Sequence, residues 1–171
     1  MKESRKMFST HPPAVSFSAF SGTGKTTLIE QLIPVMNARG LKLGVMKHDA
    51  HRFEIDKPGK DSYRFSHAGA LVTAIGSSEM TALIERRPLS PREIITRMQG
   101  VDLVLIEGYS GFDCPAIGIE RAATGQGLRG KPGDYAAIVT DAGAYPGIPC
   151  FSFEDIEPLA DFIIGLCVRE G

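Results

Sequence analysis

An α/β fold, with a mostly parallel sheet, helices on both faces and a β-hairpin insertion, is predicted by three patterns in this sequence. Strand-like and helix-like segments alternate along the chain, as consecutive βαβ units do. The run Val101–Ile106 is apolar throughout except at Asp102, which suits a parallel strand covered on both faces. A glycine-rich turn, Ala19–Leu28 (AFSGTGKTTL), joins the first strand-like run directly to the first helical one. A loop in that position can hold an anion against a helix N-terminus.

The elements follow in order. Residues 1–13 are polar and broken by Pro12-Pro13, so they read as a flexible tail, with a single domain over 14–171. The first strand is placed at Ala14–Phe20. A helix over Lys25–Arg39 follows, with Leu28, Ile29, Leu32, Ile33 and Met36 at helical spacing and Gly40 at its end. Pro34 inside it predicts a kink unless the lost N–H is compensated locally. Leu41–Met46 reads as the second strand and the charged stretch Lys47–Lys60 as an irregular loop. A short helix near Ser62–Ala68 precedes two strands, Leu71–Gly76 and Met80–Ile84, joined by the turn-like Gly76-Ser77-Ser78.

Ser90, Pro91 and Glu93 supply an N-cap, a first helical residue and a reciprocal cap for a helix running to Gly100. After the Val101–Ile106 strand, Ala116–Glu120 and Tyr135–Thr140 read as strands separated by a mobile glycine-rich stretch, Thr124–Asp134. A last strand at Cys150–Phe153 leads into a closing helix, Ile156–Val168, whose Leu159, Phe162, Ile163 and Leu166 form a stripe for core packing.

Composition narrows the function. Lys and Arg number 19 and Asp and Glu 20 in 171 residues, for a formal charge of −1. No global field therefore draws the chain to nucleic acid or an anionic membrane, and any anion must be held by a local site. No apolar run is long enough for a membrane span or a signal peptide, so a cytoplasmic location is expected. Cys114, Cys150 and Cys167 are scattered without metal or redox spacing and read as buried or incidental thiols.

Gly24, Lys25 and Thr26 stand in register with G-x-x-x-x-G-K-[ST], the phosphate-binding P-loop. Small residues let the main-chain amides of Ser21, Gly22, Thr23, Gly24, Lys25, Thr26 and Thr27 close around phosphate oxygens. Lys25 is expected across the β- and γ-phosphates, and the Thr26 hydroxyl on Mg²⁺. The first glycine of the pattern is Ala19, which is tolerated if that residue keeps a negative φ. The fold class is accordingly that of a P-loop NTPase.

Glu107 ends the apolar strand and is the candidate second Mg²⁺ ligand, acting through water; the alternative is a carboxylate that meets solvent at a strand edge. Asp49, leaving the second strand, could reach Mg²⁺ or orient a water. His48 and His51 lack a third and fourth partner for zinc. Lys60 and Ser62, in Lys57-Pro58-Gly59-Lys60-Asp61-Ser62, suit a loop closing on an anionic ligand; the alternative is a solvated charged face. Asp141 can accept from guanine N1–H and N2–H₂ together, a pair adenine does not offer. It is the candidate base reader, with an Asx-turn before Ala142-Gly143 as the alternative. Arg129-Gly130-Lys131 is a weak candidate for the arginine-bearing lid of a small-molecule kinase.

Together, SGTGKTTL (Ser21–Leu28), GVMKHDAH with FEIDKPGKDSYR (Gly44–Arg64), DLVLIEGY (Asp102–Tyr109) and VTD (Val139–Asp141) resemble the molybdopterin-guanine dinucleotide biosynthesis protein B family of P-loop GTPases. The resemblance spans most of the chain. It implies weak GTP binding and hydrolysis with Mg²⁺, a homodimer, and support of a guanylyltransferase-type partner enzyme that attaches GMP to molybdopterin. A non-catalytic adaptor that delivers GTP or the pterin itself is the alternative. Lys25, Asp49 and Glu107 would be catalytic, with Thr26, Glu107 and Asp49 at the metal. Two positions depart from the family pattern: Ala19, and Ser110 where a lysine is common. Arg121 agrees with a family arginine at a strand end and could contact phosphate or pterin; an exposed surface arginine is the other reading.

Overall fold

A computed structural model describes residues 11–48, 53–109 and 111–168. The chain divides into two compact units, Met1–His48 with Pro91–Gly171, and Asp49–Ser90.

The first unit is a six-stranded sheet in the order β2-β5-β1-β6-β7-β8, every pair parallel. Its strands are β1 (Ala14–Ser18), β2 (Leu43–Lys47), β5 (Leu103–Glu107), β6 (Ala116–Glu120), β7 (Ala137–Thr140) and β8 (Cys150–Phe151). Because all run the same way, their carboxyl ends share one edge, where open α/β sheets bind ligands. Alternation sorts the strand residues between two cores. Val15, Phe17, Leu103, Leu105, Ile117 and Ile119 face α1 (Lys25–Ala38) and α4 (Ile156–Cys167), meeting Leu28, Leu32, Met36, Leu159 and Ile163. Ala14, Met46, Val104 and Ile106 face the opposite way, onto Ile95 of α3 (Pro91–Thr96). Helices thus lie on both faces, and the buried run around Asp102 is the strand between β2 and β1, as its composition implies.

Local bonding explains where elements stop. α1 continues through Pro34 without a break and closes at Arg39, whose N–H bonds the Met36 carbonyl. α3 is shorter than the reading to Gly100. After Thr96 the N–H groups of Arg97 and Met98 reach only three residues back, to Ile94 and Ile95, a tightening that ends an α-helix. β8 stops at Phe151 because the Ser152 N–H turns to the Asp155 carboxylate (2.7 Å) ahead of α4.

The second unit holds α2 (Asp61–His67) and the antiparallel hairpin β3 (Val72–Gly76) and β4 (Thr81–Glu85). Its turn is held by Ser77, whose N–H donates to the Met80 carbonyl at 2.9 Å and whose hydroxyl accepts from the Met80 N–H at 3.0 Å. Arg86 ties the hairpin to α2 through the Ser66 carbonyl at 3.2 Å. Among the described residues no helix is long and apolar enough to cross a membrane.

Candidate functional site

The turn between β1 and α1 is shaped by its two glycines. Gly22 (φ 80°) and Gly24 (φ 93°) occupy the left-handed region, which a Cβ disfavours. No described residue other than glycine has positive φ, so Ala19 meets the condition its methyl imposes, and it is buried against the core. Thr23 is fully buried, and its hydroxyl folds the loop back by donating to the Phe20 carbonyl at 2.9 Å. The first amide to find an acceptor in α1 is Leu28 N–H, on the Gly24 carbonyl at 3.0 Å. The amides before it belong to the helix turn that has no helical acceptor.

Lys25 curls over this loop. Its Nζ donates to the carbonyls of Ala19 at 3.1 Å and Phe20 at 3.0 Å. Burial pushes its pKa below the ordinary lysine value; Glu107 opposes the shift, and the positive charges of Arg129 and Lys47 add to it. An anionic phosphate would favour the charged ammonium and relieve that excess of positive charge.

Glu107 is fixed by both neighbouring strands. It pairs in register with Phe17 of β1 and Lys47 of β2. Its carbonyl accepts the His48 N–H at 3.0 Å, while Gly108, at φ 80°, donates to the Phe17 carbonyl at 3.3 Å. This places its carboxylate against α1, where Thr26 Oγ1 donates to Oε1 at 2.7 Å. Two hard oxygens from different elements therefore already meet, which fits Mg²⁺. Thr26 and Glu107 would hold the ion, and the ion would neutralise phosphate charge. Asp49, expected from sequence at the same ion, lies outside the described residues, as do His51 and Ser110. Lys60 and Ser62 lie in the second unit, where they border a cavity of about 540 Å³ with Lys57, Phe65 and Ile75.

Arg121, just past β6, makes a connection that spacing does not reveal. Its Nε donates to the Thr23 carbonyl at 3.2 Å, Nη1 lies 3.8 Å from the Asp141 carboxylate, and its guanidinium covers the Phe153 ring at 3.7 Å. Asp141 Oδ1 also accepts from the Ala122 N–H at 2.6 Å. The carboxylate thus binds the end of β7 to the end of β6, while the neighbouring turn is closed by Thr140, whose hydroxyl accepts from Ala142 N–H at 2.9 Å. Beside it a cavity of about 310 Å³ opens between the ends of β7 and β8, lined by Thr140, Asp141, Gly143, Phe151 and Ser152.

Beneath that shelf Glu120 is buried, accepting from Thr140 Oγ1 at 3.2 Å and Tyr145 O–H at 2.6 Å. The bond to Glu120, with burial second, pushes the Tyr145 phenol up to about 12. A raised folded-state pKa gives stability that is present below the ordinary value of 10.0 and is lost as pH climbs towards about 12. Tyr145→Phe is expected to cost about 1 kcal/mol near neutrality and to flatten that alkaline decline, as thermal melts across the interval would show. The thiols of Cys114 and Cys167 are raised by burial, the latter to about 11, which keeps them protonated and unreactive near neutrality.

The family model of molybdopterin guanine dinucleotide synthesis protein B (MobB) matches residues 14–141. The molybdopterin-guanine dinucleotide biosynthesis adapter protein of Escherichia coli is 35% identical over 164 residues, 89% of this chain and 91% of that one. The protein of the same description from Haemophilus influenzae is 31% identical over 155 residues, covering 88% and 87%. A crystal structure of Bacillus subtilis MobB superposes with a TM-score of 0.75 at 28% identity, over 92% of this chain and 99% of that one.

Proposed function

The chain belongs to the molybdopterin guanine dinucleotide synthesis protein B family, and from that premise we propose that it binds Mg²⁺-GTP on its P-loop and serves as an adapter in molybdopterin guanine dinucleotide synthesis. The observation that carries this reading is the contact of Thr26 Oγ1 with Glu107 Oε1 at 2.7 Å beside the curled Lys25, the set of groups a P-loop needs for a metal-bound triphosphate. Hydrolysis is slow and secondary, and delivery of the nucleotide to a guanylyltransferase that attaches GMP to molybdopterin is the main role. The adapter description of the relatives supports this ordering. Phe53, Ile55, Phe65 and Met80, exposed on the second unit, support a homodimer.

Mixing separates the two roles. With the partner enzyme present, the chain is expected to raise the yield of guanine dinucleotide without a matching rise in GTP hydrolysis; a parallel rise would make turnover the function.

Base choice falls to Asp141, next to the cavity at the ends of β7 and β8. Asp141→Asn turns a double acceptor into a group that donates to xanthine O2. The variant is expected to bind GTP about 10-fold more weakly and to prefer XTP, each measured by competition; an unchanged preference removes Asp141 from the base site.

A further inference from the structure

The glycine-rich stretch after β6 is anchored against the strand that feeds the P-loop. Gly118 pairs with Ser18 of β1, and a Cβ on it would lie 2.9 Å from both Leu128 Cδ1 and Tyr135 Cδ2. Tyr135 O–H donates to Ser18 Oγ at 3.3 Å, and a Cβ on Gly130 would come within 3.1 Å of that same phenol oxygen. Leu128 and Gly130 are therefore both held near the turn into Ala19–Gly24, and Arg129 sits between them.

Arg129 is exposed, and its guanidinium has no hydrogen bond or ion pair among the described residues. Arg121 is tied to the Thr23 carbonyl and paired with Asp141, and Lys25 is tied to the carbonyls of Ala19 and Phe20. Arg129 alone of the three makes no such contact, so all five of its guanidinium N–H groups are open to a ligand. It is also near enough to Lys25 for its charge to weigh on that ammonium. An exposed guanidinium on a turn anchored beside the glycine loop is suited to a highly charged anion, because its planar fork matches phosphate oxygens two at a time.

We propose that Arg129 is a phosphate-binding residue supplied by the chain itself, contacting the terminal phosphate of a nucleoside triphosphate seated on the P-loop. This rests on the P-loop reading above. The contact adds selectivity for the triphosphate over the diphosphate, since a diphosphate has no group at that place.

The test uses the full chain, Arg129→Ala and Arg129→Lys, titrated with Mg²⁺-GTP and Mg²⁺-GDP, with thermal melts to verify folding. Arg129→Ala is expected to lose about 10-fold in GTP affinity while GDP affinity stays within about twofold. Arg129→Lys is expected to fall between it and the parent, as a point charge replaces a fork. Unchanged GTP binding in Arg129→Ala, or equal losses for GTP and GDP, overturns the proposal and leaves the P-loop reading standing. A parent chain that binds neither nucleotide overturns both.

Discussion

Lys25→Ala is expected to lower affinity for Mg²⁺-GTP about 100-fold while the protein stays folded. The ammonium now bridges two loop carbonyls, Ala19 and Phe20, at 3.1 and 3.0 Å. A phosphate chain on the loop would take over those donors as charge-assisted bonds, worth about 1.5–3 kcal/mol each. Two such bonds account for the loss. The core has no stake in Lys25, because the buried face of α1 is Leu28, Ile29, Leu32 and Met36. Fluorescence titration with a labelled nucleotide measures the first effect and a thermal melt the second. Equal affinities for parent and variant would remove the lysine from any phosphate site.

Phe17→Ala has the largest expected effect on stability, about 3–5 kcal/mol. The ring is fully buried in the core under α1 and α4, in a strand flanked on both sides by others. Removal leaves a void in that core, and the site is linked to it: Phe17 pairs with Glu107, and its carbonyl holds Gly108 N–H at 3.3 Å. Denaturant unfolding should show a lowered midpoint with an unchanged slope. A loss below about 1 kcal/mol would mean that this part of the sheet repacks freely.

How much of this could be read from residues alone follows from the range of each interaction. The turn from β1 into α1 and the strand β5 were legible because their signals are contiguous: Gly22 to Lys25 in one stretch, Val101–Ile106 in another. The hairpin was legible too, from the turn between its strands. The meeting of Thr26 with Glu107 could be anticipated, since adjacent parallel strands bring their carboxyl ends to one edge.

The glycine-rich stretch was not. Its composition suggests a mobile segment, yet one 3-10 turn, Ala122–Thr124, leads into it, a second, Pro132–Asp134, closes it, and Leu128 and Tyr135 anchor it over Gly118. No local pattern encodes a notch made by a missing Cβ on another strand. Asp141 shows the same limit. Sequence offers a base reader or an Asx-turn and marks neither tie that the carboxylate makes across the sheet edge, to Ala122 N–H and to Arg121. Arg121 on Phe153 joins two residues far apart in the chain, each just past the end of a strand.

The claim beneath the binding expectations is that the loop around Gly22 and Gly24 binds a guanine triphosphate. Titration calorimetry of the parent chain with GTP, ATP and XTP, with and without Mg²⁺, tests it most directly. One saturable GTP site per chain, strengthened by Mg²⁺ and selective against ATP and XTP, is the predicted result; no saturable heat with any of the three would contradict it.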